Sequence, residues 1–445
     1  MDARRRITNP MAATNSTIEG LTIEKLVYGG DGLAHHDGST VFVPFVLPQE
    51  RVAATVVEDK RKFVRARLER ILSASPDRVA PQCLHFGDCG GCNYQHIAYE
   101  CQLRHKNDIL RETLRRIGGI HWGSDIQVLS AQPWCYRNRA QWKIRSLDNV
   151  APEALAPSQP ALGYLRANSA SICPVHDCPI LSPLLLRALL ALRRGLSAHA
   201  PGVREFEAFV NASDTKLLLT ATFSSFPSDP NRTVERLRAQ LPEVESLLLH
   251  DPARDRMELF GPGFIEYETR AAKYRVGHFS FFQVNRFLVD ALQEYVAGSA
   301  EGGRLALDLF AGVGLFSLPL ANRFGRVIAV ESNPAAARDL ERNAGSHTPV
   351  EVRTEDVERF LEKCKEKPEL VVLDPPRAGL MPAAVSRLAQ LAPDRITYVS
   401  CDPATLARDL KALCRSGYEI AQIALFDLFP QTFHIETVAR LARSR

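Results

Sequence analysis

The stretch YVSCDPATLARDL (398–410) places a thiol, Cys401, where a predicted strand ends and a helix begins. Most free cysteines are small core residues, but a buried thiol gains nothing from a position at the mouth of a strand. A cysteine can also act as the nucleophile of covalent catalysis. Other residues in the chain have to decide between the two interpretations.

Acidic residues end four successive predicted strands of the C-terminal part: Asp308, Glu331, Asp356 and Asp374. Gly312 and Gly314 follow the first strand and allow a ligand to approach the backbone at the carboxyl edge of a sheet. No Walker lysine follows these glycines, so we do not expect a phosphate cradle. The second acid is placed to hold ribose hydroxyls, and the third to reach an adenine amino group. S-adenosylmethionine fits this set, with a dinucleotide as the alternative.

Three sulfurs lie in one glycine-rich loop, CLHFGDCGGC: Cys83, Cys89 and Cys92. A closed metal site needs a fourth ligand, for which Cys178 in HDCPILSP and Cys173 in SICPVH are the candidates. The spacing alone leaves zinc and a [4Fe–4S] cluster open, because both accept four thiolates.

The elements that must position these residues are of two kinds. From about residue 302, apolar strands alternate with helices, which predicts a mainly parallel, doubly wound α/β sheet. Residues 17–72 contain four or five short β-rich runs separated by Gly and Pro turns. They predict a small barrel of the OB type, with an SH3-like barrel as the alternative.

Basic residues alternate along WCYRNRAQWKIRS (134–146), with Arg137, Arg139, Lys143 and Arg145 on one face of a predicted strand. Four cations on one sheet face exceed what solubility requires, so we predict contact with RNA or DNA. The net charge of +4 permits such a partner without demanding one.

Composition is that of a globular enzyme, with 45% hydrophobic and 24% charged residues among 445. No stretch reaches the ~18 apolar residues of a membrane span, and the N-terminus lacks the apolar stretch of a signal peptide. We therefore expect a cytoplasmic protein with no membrane partner, no evident obligate protein partner, and reduced thiols.

The motifs DLFAGVG, LDPPRAG, SCDPATLARDL and FPQTFHIETV together resemble the RNA uracil-C5 methyltransferases. These are class I (Rossmann-like) enzymes that use S-adenosylmethionine to make 5-methyluridine in ribosomal or transfer RNA. The barrel resembles the OB-like TRAM domain of many members, and the cysteine segments resemble the iron–sulfur segment of bacterial 23S ribosomal members. Many members have SCNP where this chain has SCDP, and its DPPR is close to the DPAR of ribosomal members; neither departure removes a reacting group.

The resemblance implies three domains: a TRAM barrel at 15–73, a central α/β domain with the cluster loop and a basic RNA-binding face at 74–275, and a methyltransferase domain at 276–445. It implies that Cys401 is the nucleophile and Glu436 the general base. The positions it assigns to the cofactor are Gln283 in HFSFFQVNR, Phe310 through its backbone, Glu331, Asp356 and Asp374. It favours a [4Fe–4S] cluster held by Cys83, Cys89, Cys92 and Cys178, with zinc as the alternative metal.

In the chemistry that this resemblance implies, a thiolate adds to uracil C6, C5 takes the methyl group, a carboxylate removes the C5 proton, and the thiol is eliminated. The uridine must leave its stack to react. We expect 23S ribosomal RNA as substrate, with transfer RNA as the alternative. An alternative function of a different class is that of a non-catalytic RNA-binding or ribosome-assembly factor. The presence of both Cys401 and Glu436 disfavours it. Amino-group methylation of adenine is also disfavoured, because Arg377 stands where an aromatic residue usually follows DPP.

Overall fold

The computed structural model describes residues 16–60, 62–145, 161–195, 202–298, 301–346 and 349–444. The chain forms two compact units. The first comprises Met1–Pro81, Cys92–His105 and Gln431–Phe433, and the second comprises Gln82–Gly91, Lys106–Pro430 and His434–Arg445. Most of the predicted central and catalytic parts thus fall in the second unit, whereas residues 74–81, 92–105 and 431–433 fall in the first. The division into three domains stays a prediction.

The first unit is built on one sheet, whose strand order is β1-β5-β6-β4-β3-β2. Its strands are β1 (Thr17–Thr22), β2 (Lys25–Leu26), β3 (Asp31–His36), β4 (Ser39–Pro44), β5 (Arg51–Lys60) and β6 (Phe63–Ser73). Alternation sets the faces: in β4, Val41 and Val43 are buried, and they pack in one core with Val52, Ala54 and Val64. The described residues therefore hold six strands where the sequence predicted four or five.

The second unit contains two large sheets and a hairpin. Its strands are β7 (Gln127–Leu129), β8 (Arg139–Arg145), β9 (Ala161–Leu165), β10 (Ile172–Pro174), β11 (Val203–Val210), β12 (Leu217–Phe223), β13 (Val244–Asp251), β14 (Arg256–Phe260), β15 (Phe264–Glu268), β16 (Lys273–Gly277), β17 (Gly303–Leu309), β18 (Phe324–Val330), β19 (Val350–Arg353), β20 (Leu370–Leu373), β21 (Arg395–Ser400), β22 (Tyr418–Phe426) and β23 (Glu436–Arg443). One sheet has the order β10-β9-β8-β11-β12-β13-β14, and β15 pairs with β16.

Helices flank these sheets. In the described residues they are α1 (Tyr99–Thr113), α2 (Pro183–Arg194), α3 (Pro230–Gln240), α4 (Val289–Gln293), α5 (Ser317–Ala321), α6 (Pro334–Ala344), α7 (Val357–Lys363), α8 (Pro382–Leu391) and α9 (Pro403–Arg415). One π-helical turn extends α1 over Leu114–Gly118 and another extends α4 over Glu294–Gly298. None of the helices that the structure describes combines the length and apolar character needed to cross a membrane.

The predicted doubly wound sheet is confirmed. Its order is β19-β18-β17-β20-β21-β23-β22-β7, with β17 to β21 parallel and β23 antiparallel to both of its neighbours. The edge strand β7 comes from a segment more than 100 residues before the predicted catalytic domain and pairs in parallel with β22. A three-residue strand so far away in the chain leaves no periodic signal by which the sequence could have revealed it.

Strand β8 has the predicted alternation, with Ala140, Trp142 and Ile144 buried. Two cations of this face are nevertheless paired with acids, and contact of the face with RNA or DNA stays a prediction. Lys143 forms an ion pair with Glu205 of the neighbouring β11.

Arg139 is the second paired cation of this face. Its guanidinium lies 3.4 Å from Glu207 Oε1 and over the Phe209 ring, 4.6 Å from the centroid, and its Nη2 donates to Ser280 O. Only 14% of the Arg139 side chain is exposed. Periodicity identified the face correctly but could not reveal the acids that the adjacent strand brings to it.

Candidate active site

The loop after β17 has the shape that a cofactor loop requires. Phe310 adopts a positive φ of 67°, and Gly312 and Gly314 have φ values of 56° and 92°. A Cβ at Gly314 would lie 2.4 Å from Cδ1 of the buried Leu340 in α6, so only glycine lets this loop pack so closely on the helix. The backbone is thereby exposed at the carboxyl edge of the sheet, where open α/β sheets bind ligands.

Glu331 stands beside this loop, immediately after β18. Its Oε2 accepts a hydrogen bond from Gly312 N at 2.8 Å, and its Oε1 accepts one from Asn333 N at 2.7 Å. These two bonds fix the carboxylate at the sheet edge, while its remaining lone pairs stay available to hydroxyl donors.

Asp356 follows β19 and lies exposed at the start of α7, where its side chain makes no capping hydrogen bond. Gln283 is 6% exposed, and its backbone carbonyl accepts a hydrogen bond from Asn138 Nδ2 at 3.0 Å. Asp374 follows β20 and is half-buried. The resemblance predicts that the side chains of Asp356, Gln283, Asp374 and Glu331 contact the cofactor.

Asp308, the fourth strand-end acid, is completely buried in β17. Ser317 donates to its Oδ2, whereas Oδ1 has no hydrogen-bond partner among the described residues. Burial above all, then Glu331, raises the pKa of Asp308 to about 7, against the lowering effect of Ser317. A buried acceptor without a partner, beside two further carboxylates, suits a cationic ligand with hydroxyl groups, and S-adenosylmethionine has both features.

Cys401 lies between β21 and α9 and is partly exposed. Asp402 caps the helix, because its Oδ1 accepts from the backbone N–H groups of Ala404 and Thr405, both at 2.9 Å. The thiol therefore stands at the N-terminus of a 13-residue helix, whose dipole favours negative charge there.

Glu436 opens β23, the antiparallel neighbour of β21. Ser400 pairs directly with Thr437, so Cys401 and Glu436 continue two adjacent strands at the same edge of the sheet. Glu436 is only 4% exposed, and a surface glutamate would need no such position. The register thus brings together the two residues that the sequence predicted as nucleophile and base.

The charges around Cys401 oppose one another. The pKa of its thiol is raised to about 11, mainly by burial and further by the carboxylates of Glu436 and Asp374. The charge and hydrogen bond of Arg377 lower this pKa. The resting side chain is therefore a neutral thiol at physiological pH, and Arg377 is the group that favours the thiolate.

The two acids beside the thiol also hold their protons tightly. Burial, followed by the nearby Asp374, raises the pKa of Glu436 well above its usual value, while Arg377 opposes this. Burial and the charge of Asp308 raise the pKa of Asp374 to about 7. Neighbouring acids in a desolvated site cannot both be fully ionised at neutral pH, so proton transfer is available within this group.

Sequence reasoning did not assign a role to Arg377 or His434. Nη2 of Arg377 lies 3.4 Å from Nδ1 of His434. Burial, then Arg377 and more distant cations, lower the pKa of His434 to about 4, so this imidazole is neutral at pH 7 and is not a proton donor. The position of Arg377, directly after DPP, was the signal that could have identified it.

The predicted cluster ligands show no assembled metal site. In the parts of the chain that the structure describes, no three His, Cys, Asp or Glu side chains stand together in a way that could hold a metal ion. In the second unit, Cys83 and Cys89 are half-buried and Cys178 is 8% exposed. The alternative ligand Cys173 has its Sγ 3.9 Å from His85 Nδ1. The structure therefore gives no support for a cluster, and the ligand set stays a prediction.

Comparison with protein families gives two matches. The family described as tRNA (Uracil-5-)-methyltransferase matches residues 263–444, and the TRAM domain matches residues 15–68. The second match confirms the predicted TRAM domain.

Two relatives are similar over almost their whole length. An RNA methyltransferase of Aquifex aeolicus, described as uncharacterized, is 34% identical over 95% of this chain and 97% of its own. The 23S rRNA (uracil(1939)-C(5))-methyltransferase RlmD of Salmonella typhimurium is 35% identical over 99% of this chain and 98% of its own.

Among solved structures, the tRNA (uracil-54, C5)-methyltransferase of Pyrococcus abyssi in complex with S-adenosyl-L-homocysteine is similar in fold. It superposes with a TM-score of 0.75 at 25% sequence identity and covers 96% of this chain and 100% of its own. It was solved with the demethylated form of the methyl donor, which is the ligand class that the strand-end acids described above suit.

Proposed function

Because the chain belongs to the RNA uracil-C5 methyltransferases, which take their methyl group from S-adenosylmethionine, we propose that it methylates C5 of one uridine in 23S ribosomal RNA through a covalent adduct on Cys401. The observation that carries this proposal is the register of β21 and β23, which sets Cys401 and Glu436 side by side at the carboxyl edge of the sheet.

Uracil C5 is too weak a nucleophile to take a methyl group directly, so Cys401 acts first. Its thiol first loses the S–H proton to solvent, and the thiolate sulfur then forms a bond to C6. The electrons of the C5–C6 double bond move into the uracil ring as an enolate, which makes C5 nucleophilic. S-adenosylmethionine, when bound at this edge, supplies the methyl group to C5. A carboxylate then removes the C5 proton, the C5–C6 double bond forms again, and the C6–S bond breaks.

The surroundings of the two residues suit these steps. Arg377 and the N-terminus of α9 favour negative charge on the Cys401 sulfur, which the addition step requires. Glu436 is buried, and burial makes its carboxylate a stronger base than an exposed one. Asp374, whose charge acts on both Cys401 and Glu436, is the alternative acceptor for the C5 proton.

The substrate proposal rests on the relatives. The full-length relative from Salmonella is named for uracil 1939 of 23S ribosomal RNA, and we assign the same target to this chain. Because C6 of a stacked base is out of reach of the sulfur, the target uridine has to turn out of its stack. Transfer RNA is the competing substrate, since both the matching family and the similar solved structure are named for it.

Methylation of two purified RNAs distinguishes the substrates. Unmodified 23S ribosomal RNA and unmodified transfer RNA are each incubated with the protein and methyl-labelled S-adenosylmethionine, and nuclease fragments are analysed by mass spectrometry. We expect one 5-methyluridine, in the 23S fragment that contains position 1939. Label confined to transfer RNA would contradict the substrate assignment.

The same proposal includes a [4Fe–4S] cluster on Cys83, Cys89, Cys92 and Cys178, which the resemblance supports and which the reaction does not use. Protein purified without oxygen should contain about four irons and absorb broadly near 400 nm. Cys178→Ala should lose the iron and Cys173→Ala should keep it. Stoichiometric zinc without iron would contradict the cluster, and iron lost only in Cys173→Ala would reassign the fourth ligand.

A further inference from the structure

A basic and apolar groove lies in the second unit between the edge strand β14 and helix α6. Its volume is about 310 Å³, at the lower end of the ~300–1,000 Å³ of small-ligand pockets. We call it the β14–α6 groove and define it by the residues that line it and are used below: Met257, Leu259, Phe279, Arg338, Asp339 and Arg342.

Three large apolar side chains are exposed in this groove. Met257 is 50% exposed, Leu259 51% and Phe279 46%. Single exposed apolar residues are ordinary, but a group of them beside cations marks an interaction surface. Met257 and Leu259 are two residues apart on β14 and therefore share a face. Among the described strands, β14 pairs on one side only, with β13.

The groove also carries two arginines that have no acidic partner among the residues that the structure describes. Arg338 and Arg342 are exposed, one turn apart on α6, and within the described residues neither has a carboxylate within 4 Å. Among the described residues of the lining, Asp339 is the one carboxylate, and it is already bound. Arg275 Nε lies 3.2 Å from its Oδ1, and Ser280 Oγ donates to its Oδ2 at 2.7 Å. The net charge of the groove therefore attracts an anion.

The groove leads toward the proposed cofactor site. The Phe279 carbonyl accepts a hydrogen bond from Asn333 Nδ2 at 3.1 Å, and the backbone N–H of Asn333 donates to Glu331. The rings of Phe279 and His250 lie nearly perpendicular to each other, with centroids 5.6 Å apart, which limits the orientations of the Phe279 ring.

From these observations we infer that the β14–α6 groove binds single-stranded RNA adjoining the target uridine, with Arg338 and Arg342 on phosphates and Phe279 stacked on a base. Single-stranded RNA is recognised by a basic track with aromatic platforms. This inference rests on the proposed function, which supplies an RNA substrate. The groove is a separate candidate from the β8 face, where Arg139 and Lys143 are already paired with glutamates.

The charge component is tested by the salt dependence of binding. Arg338→Ala/Arg342→Ala and wild type are titrated with an oligouridylate of about 20 nucleotides at several salt concentrations. Each phosphate contact on a single strand contributes about 0.7 to the slope of log K against log salt. We therefore expect the slope to become shallower by about 1.4 in the double variant.

A control variant removes the same charge elsewhere. Lys411→Ala/Arg415→Ala removes two cations from the C-terminal end of α9, away from Cys401. Among the described residues no carboxylate pairs with them, and this variant should keep the wild-type slope. Equal slopes for wild type and Arg338→Ala/Arg342→Ala would overturn the inference. So would equal losses in the two double variants, because the effect would then be one of net charge.

The stacking component is tested at Phe279. Phe279→Ala should weaken oligouridylate binding about fivefold, the low end of base–aromatic stacking for a half-exposed ring, without changing the salt slope. Phe279→Tyr should bind the oligouridylate with wild-type affinity, because it keeps the aromatic face. Unchanged affinity in Phe279→Ala would remove the stacking role.

Two readouts distinguish a lost RNA contact from a loss of folding or of cofactor binding. The melting temperature and the affinity for S-adenosylmethionine should be unchanged in every variant, and a loss of cofactor affinity without a change in RNA binding would overturn the inference. Failure of the proposed function would show as wild-type protein that does not methylate RNA. If only the groove inference is incorrect, the wild-type protein will methylate RNA, and the groove variants will bind RNA as tightly as the wild type.

Discussion

At the scale of single residues, the site is a thiol between two acids and one guanidinium. Burial first, then Glu436 and Asp374, raises the pKa of Cys401, and Arg377 lowers it. Arg377 also lowers the pKa of Glu436. One exposed side chain therefore favours the reactive, ionised form of both the proposed nucleophile and the proposed base, and we regard it as a positioning residue.

This arrangement predicts how activity depends on pH. Thiolate and carboxylate are the reactive forms and both pKa values are raised, so the methylation rate should increase with pH through the neutral range. Arg377→Ala should move that rise to higher pH, because both pKa values increase further when the cation is lost. Since Arg377 is exposed and its field is screened, we expect a loss of roughly three- to tenfold at pH 8.

Single-turnover rates measured from pH 6 to pH 9.5 test this expectation. Arg377→Lys keeps the charge and should retain most of the wild-type profile. A uniform loss at every pH in Arg377→Ala, with no displacement of the curve, would indicate that the side chain holds RNA and does not tune the thiol.

At the scale of elements, sequence patterns predicted the parallel strands, the glycine loop and the acids at four strand ends. The structure adds what periodicity cannot show. Glu205 and Glu207 on β11 neutralise cations of β8, and Arg139 serves instead to hold Ser280, three residues before Gln283. A side chain that looks like an RNA contact in the sequence becomes part of the scaffold once its strand has neighbours.

The glycine loop gives a prediction for an element. Gly314→Ala combines backbone strain at a φ of 92° with a clash against buried Leu340, so we expect the free energy of unfolding to fall by about 2–5 kcal/mol. Gly119→Ala is the matched control, because its φ of 67° is also left-handed but the space around it is open; it should cost about 1 kcal/mol. Urea unfolding of both variants checks this, and equal losses would contradict the packing account.

At the scale of the whole molecule, distant parts of the chain supply one site. Asn138, just before β8, holds the carbonyl of Gln283, and β7 completes the catalytic sheet from residues 127–129. Full-length similarity to the relatives fits this arrangement, because the catalytic segment alone lacks these supports. The motifs could be recognised from the sequence, whereas these long-range supports could not.

The central claim is that Cys401 attacks the uracil before methyl transfer and Glu436 acts after it. The two variants should therefore fail differently. Glu436→Gln keeps the shape of the side chain and loses the base, so addition and methylation proceed but elimination stalls. Cys401→Ala never activates C5.

The most direct measurement is a denaturing gel of each variant after incubation with 23S ribosomal RNA and methyl-labelled S-adenosylmethionine. We predict that Glu436→Gln gives a slow, labelled protein–RNA band that requires both RNA and cofactor, and that Cys401→Ala and the double variant give none. A labelled adduct that persists in Cys401→Ala, or full turnover by Glu436→Gln, would contradict the account.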